Sequence, residues 1–151
     1  MSSYIPVELR CLVAARAAHL CEYCLIHEDD TNYGCQVDHI ISVKHGGATE
    51  LENLAYACVF CNRHKGSDLG SLLLPEQRFF RFFNPRTEKW YEHFRLNEAI
   101  IEPLTDIGKV TAQILGLNHI DRVLERQALI EVGRYPTEAA IERMQREPFR
   151  E

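Results

Sequence analysis

The sequence predicts an α+β domain in which short strands are stapled by a four-cysteine metal site, with a helix ahead of the staple and strands and helices behind it. Three observations carry this reading. Two Cys-x-x-Cys pairs, Cys21/Cys24 and Cys58/Cys61, stand 33 residues apart. Short β-like runs lie between and after them, and apolar residues at helical spacing occupy both ends of the chain. With 151 residues, 46% of them apolar and 26% charged, the chain has room for one domain with one sizeable core. The expected unit is a single domain over residues 1–151, with a core at about 20–70 and a C-terminal extension at about 76–151.

The elements follow in order. Pro6 suits the first turn of a helix that Val7, Leu9, Leu12, Val13 and Ala17 carry to about Leu20. The first knuckle comes next, and Asp29 to Gly34 is dense in turn formers. Gln36 to Ser42 reads as a strand that His45-Gly46-Gly47 breaks, and Leu54 to Cys58 reads as a second strand. Cys61 to about Gly66 opens a helix. Arg78 to Phe83 is aromatic and strand-like, Asn84 to Thr87 a turn, and Phe94 to Leu96 and Ile100 to Pro103 further strands. Helices are expected over Asp106–Leu115, His119–Val132 and Thr137–Arg146, with Thr137 as an N-cap and Gly133 in the C-cap position.

A membrane span needs roughly 18 or more consecutive apolar residues, and no such run occurs. Met1-Ser2-Ser3-Tyr4 does not open a signal peptide. The expected location is therefore the reducing cytoplasm, where six cysteines point to metal ligands before disulfides. The net charge of −5 is uneven: residues 1–37 and 96–151 each carry −3, while 38–95 carries +1. Charge permits a nucleic-acid partner in the middle segment without proposing one.

Zn²⁺ favours four thiolates in a tetrahedron, and each knuckle supplies two, so Cys21, Cys24, Cys58 and Cys61 are the expected ligands of a structural zinc. The alternative is a pair of redox-active motifs, which belong on a thioredoxin-like background this chain lacks. Cys11 and Cys35 are expected to be small buried hydrophobes.

Between and after the knuckles stand Val37-Asp38-His39-Ile40-Ile41, His45-Gly46-Gly47, Leu51-Glu52-Asn53-Leu54 and Cys61-Asn62-Arg63-His64-Lys65-Gly66. In that order and at those distances they resemble the HNH endonucleases of the ββα-metal group. Phe83-Asn84-Pro85-Arg86, Trp90 and His93-Phe94 extend the similarity to one subfamily of small HNH proteins. The resemblance implies a ββα-metal finger and hydrolysis of DNA phosphodiester bonds to 5′-phosphate and 3′-hydroxyl ends. It makes His39 the general base and Asp38 a metal ligand, with Asn53 orienting the catalytic imidazole. The last position of the motif, often His, is Asn62 here, a residue some members use to bind the cation.

The chemistry supports this independently. A neutral imidazole, with an ordinary pKa of ~6.5, can deprotonate water near neutral pH. Asp38 and Asn62 offer oxygen donors only, which suits Mg²⁺ or Mn²⁺ as the catalytic ion. Asp38 and His39 are adjacent, so a regular strand would point them to opposite faces, and the strand must end or bulge there. Arg63 and Lys65 are expected to meet DNA phosphates, with a solvated helix face as the alternative, and His64 to be a surface or phosphate residue more readily than a rival metal ligand. His45 is expected to be loop-solvated, His93 to pack locally, and residues 78–95 to form a core strand pair more readily than a stacking surface. Two rival functions remain: a zinc-dependent nucleic-acid-binding module without cleavage, and a zinc-stapled protein-interaction domain.

Overall fold

A computed structural model describes residues 4–145. Helix α1 (Val7–Arg16) ends four residues before the expected Leu20, because Ala18 and His19 take φ of 54° and 61°. L-residues enter that left-handed region as isolated turn positions and not as helix, so the chain swings there into the first knuckle. Only Val13 of α1 is fully buried. Cys11 corrects the sequence expectation: it is exposed, while Cys35 is half-buried.

Strands β1 (Cys35–His39) and β2 (Leu54–Cys58) pair antiparallel, with Asp38 opposite Ala55 and His39 opposite Leu54. β1 stops at His39 and does not reach Ser42, for a reason that lies across the loop. Ile40 N–H donates to the Asn53 carbonyl at 2.8 Å, and the Asn53 side chain takes both backbone groups of Ile41. Helix α2 (Val59–Lys65) begins inside the second knuckle, two residues earlier than expected, with Cys58 Sγ accepting from Cys61 N–H as its N-cap. Together β1, β2 and α2 form a ββα unit.

The hairpin of β3 (Gly70–Leu73) and β4 (Arg78–Arg81) follows. β3 was not expected from the sequence. β4 stops before Phe83 because Phe82 N–H bonds Leu69 O, and Phe83 N–H bonds Thr111 Oγ1 at 2.8 Å. The aromatic run therefore divides: Phe82, Phe83, Trp90 and Phe94 are buried, whereas Phe79 is 61% exposed. A short helix α3 (Trp90–His93), also unforeseen, leads into the hairpin of β5 (Phe94–Asn97) and β6 (Ile100–Pro103). Three helices complete the described chain: α4 (Asp106–Leu115), α5 (Ile120–Glu131) and α6 (Glu138–Met144). Thr137 caps α6 as expected, accepting from Ala140 N–H at 3.1 Å, and Gly133 follows α5 at φ 75°. Arg146, the expected end of α6, lies outside the described residues. No helix among the described residues is long and apolar enough to cross a membrane.

The main core joins the knuckles to Phe83, Trp90, Phe94, Ile101, Leu115 and Tyr135, and a smaller cluster puts Val13 of α1 and Ala17 just after it against Leu54 and Tyr56. The first knuckle is gripped from the C-terminal half. Arg86 Nη2 donates to Glu22 at 2.6 Å, Trp90 Nε1 to Tyr23 O at 2.9 Å, and Tyr135 Oη to Cys24 O at 2.9 Å. Buried backbone carbonyls need such partners, and here distant side chains supply them.

Candidate active site

The four knuckle cysteines come together as the spacing predicts. Their sulfurs all lie within 4.8 Å of one another, and all four residues are fully buried. Cys24 and Cys58 Sγ stand 3.8 Å apart. That is the edge of a tetrahedron with metal–sulfur bonds of ~2.3 Å, so the donor set and its spacing fit zinc.

Beside this cluster, β1 presents Gln36 and Asp38 on the face that α2 covers, since strand residues two apart share a face. Asn62 and Lys65, three apart on α2, meet them one to one. Asn62 Nδ2 donates to Gln36 Oε1 at 2.7 Å, and Lys65 Nζ stands 2.8 Å from Asp38 Oδ2. Lys65 also donates to the His39 carbonyl at 3.0 Å. Its side chain is 2% exposed and that of Asp38 16%, so the ammonium faces the carboxylate and not solvent. This differs from the outward, phosphate-facing lysine expected from the sequence. Burial pushes the Asp38 carboxyl above its usual range, and Lys65 acts in the opposite direction.

His39 is the last residue of β1 and is 7% exposed. Its Nε2 is 2.8 Å from Thr49 Oγ1. Asn53 does not reach the imidazole, contrary to expectation. Its Oδ1 accepts from Ile41 N–H, and its Nδ2 donates to Ile41 O and Ala48 O, all at 2.9 Å. Asn53 therefore closes the loop that follows His39 and acts on the ring only through the backbone. Gly47 lies inside that closure: a Cβ there would stand 1.7 Å from Ile41 O.

Arg63 and His64 are exposed on α2, with the His64 ring stacked on Phe60 at 4.1 Å and its Nδ1 2.8 Å from Phe60 O. His45 is exposed in its loop. His93 is buried between Thr105 (2.6 Å) and Glu88 (2.8 Å), a local packing role. A cavity of about 640 Å³ runs along the α1 side of the strip, lined by Gln36, Val37, Tyr56 and Asn62 among others. Thr49, Gln36 and Arg122, the last with Nη2 3.1 Å from Cys24 Sγ, carried no motif by which the sequence could have marked them.

No curated protein and no solved structure matches the chain. A family model does match, that of the HNH endonucleases, over residues 21–68. From its first knuckle through β1, β2 and α2 to just past Lys65, this chain is thus similar to the HNH endonucleases.

Proposed function

We propose that this chain is a metal-dependent DNA endonuclease that hydrolyses phosphodiester bonds to 5′-phosphate and 3′-hydroxyl ends. The observation that carries the reading is the placing of Asp38 and His39 at the end of β1, against the helix α2 that carries Asn62, inside the segment matching the HNH family. Asp38 and Asn62 would hold Mg²⁺ or Mn²⁺ through oxygen, and the ion supplies charge stabilisation at the phosphate and the leaving 3′ oxygen. With Nε2 engaged by Thr49, Nδ1 of His39 is the nitrogen left to take a proton from the attacking water. Asn53 positions the loop behind that ring. The four buried cysteines would hold zinc as scaffold and take no part in the reaction. Arg63 and His64, exposed on the same helix as Asn62, are the residues proposed to meet DNA phosphates.

One observation favours a second reading, nucleic-acid binding without cleavage. Asp38 already has a cation at hand in Lys65. A plasmid-nicking assay across Mg²⁺ and Mn²⁺ concentrations separates the two. In the nuclease reading, His39→Ala keeps its fold, zinc and DNA affinity while its rate falls by ~10²–10⁴-fold. A folded His39→Ala that nicks as fast as wild type, or a wild type that binds but never nicks, overturns the nuclease reading.

A further inference from the structure

Arg122 sits in the first turn of α5, 64 positions after the second knuckle begins and 98 after Cys24. Its side chain is 4% exposed. Nη2 donates to Cys24 Sγ at 3.1 Å and to Cys58 Sγ at 3.3 Å, one sulfur from each knuckle. The guanidinium lies over the Phe60 ring, 4.6 Å from its centroid, so one face is packed and the donor edge is aimed at the sulfurs. Among the described residues its one carboxylate within reach is Glu125, at 3.4 Å from Nη1. A buried cation held this loosely by an acid needs another anion, because an uncompensated buried charge is costly. The two sulfurs are that anion when they are thiolates.

From this geometry we infer that Arg122 is a fifth protein component of the metal centre. It neutralises part of the charge that four thiolates leave around a divalent ion, and it latches α5 onto both knuckles. Four thiolates and a divalent cation sum to −2, in a site where all four cysteines are fully buried. One guanidinium halves that charge and withdraws electron density from the two sulfurs it bonds. Tyr135, beyond α5, donates to the carbonyl of the same Cys24, so the latch is continued by the chain that follows. The centre is then closed by the C-terminal extension. An ion leaving it must first break the contact between α5 and the sulfurs. This inference concerns the thiolate centre alone and stands whether or not the protein cleaves DNA.

The test uses the full chain loaded with Zn²⁺ or Co²⁺, as wild type, Arg122→Lys and Arg122→Gln. Outer-shell partners of metal ligands are typically worth ~10–100-fold in affinity, and zinc transfer to a chromogenic chelator should be faster in Arg122→Gln by that order, with Arg122→Lys between. The Co²⁺ proteins supply a readout that loss of packing alone would not move. Removing the N–H···S bonds raises the sulfur lone-pair energy, so the sulfur-to-cobalt charge-transfer band should shift to longer wavelength in Arg122→Gln while the ligand-field bands stay tetrahedral. If Arg122→Gln does not fold, the comparison of wild type with Arg122→Lys decides alone, since Lys keeps the charge but its chain ends one bond short of the Nη2 position that reaches both sulfurs. Equal zinc release and an unshifted charge-transfer band in the folded variants would overturn the inference.

Discussion

Three residues of the first knuckle are held by side chains 64 to 111 positions away: Glu22 by Arg86, Tyr23 by Trp90 and Cys24 by Tyr135. Strand β1 is held differently. Its partners come from within the ββα unit itself, His39 by Thr49 ten positions on and Gln36 by Asn62 twenty-six positions on. The metal cluster therefore depends on the whole described chain, and the candidate catalytic strip depends on a short stretch around it. Damage to the first should appear as loss of fold. Damage to the second should appear as loss of activity in a folded protein.

The widest separation between the two regions is expected on removing the metal. Structural zinc sites contribute apparent free energies of ~10–16 kcal/mol, more than a domain of this size has to spare. Chelation, or Cys58→Ser, should abolish the cooperative thermal transition seen by circular dichroism across the whole chain. A chelated protein that keeps that transition would show the cluster is not the keystone. Next is Lys65→Met, which leaves the Asp38 carboxylate beside an apolar chain. Breaking a buried pair costs about 3 kcal/mol or more, and Mg²⁺ or Mn²⁺ should recover part of it by replacing the lost charge at Asp38. Denaturant midpoints with and without the cation check this, and a loss indifferent to divalent ions would mean that no cation site adjoins Asp38.

Smaller again is Thr49→Val. It removes one hydrogen bond to His39, worth about 1 kcal/mol, or roughly fivefold in kcat, and should leave KM and zinc content unchanged. A rise in KM at constant kcat would place Thr49 in substrate binding instead. The smallest effect is expected at Cys11, exposed on α1: Cys11→Ser should change stability by less than about 0.5 kcal/mol.

The same contrast explains what could be read from the chain alone. Cys-x-x-Cys is a local geometric device, so the ligands of the cluster and their convergence were legible in spacing. The helices α4 and α6 were legible too, α6 together with the Thr137 that caps it from the adjacent residue. The end of β1 was not. It is set by Asn53 across a loop, and no pattern within 36–42 records that partner. Asn53 is expected at the imidazole, yet its two amide hydrogens go to backbone carbonyls and its oxygen accepts from Ile41 N–H. Lys65 resembled every other surface lysine until α2 was laid on the face of β1 that carries Asp38. At Cys11 residue type favours burial, but the weakly amphipathic α1 buries only Val13 in full. Arg122 lay in a helix whose polar residues gave no sign which of them turned inward.

The closure made by Asn53 has a consequence for altering this protein. With its amide spanning Ile41 and Ala48, and Gly47 pressed against the Ile41 carbonyl, the segment from 41 to 53 has a fixed length, and an added residue must break one of those bonds or move the glycine. The turn between β3 and β4 has no such restriction: Leu74 is 67% exposed, and Pro75, Glu76 and Gln77 are exposed with it. A fluorescent tag, an affinity handle or a whole inserted module can therefore be carried at 74–77 with the candidate catalytic strip undisturbed, whereas one extra residue between 42 and 48 is enough to unseat His39.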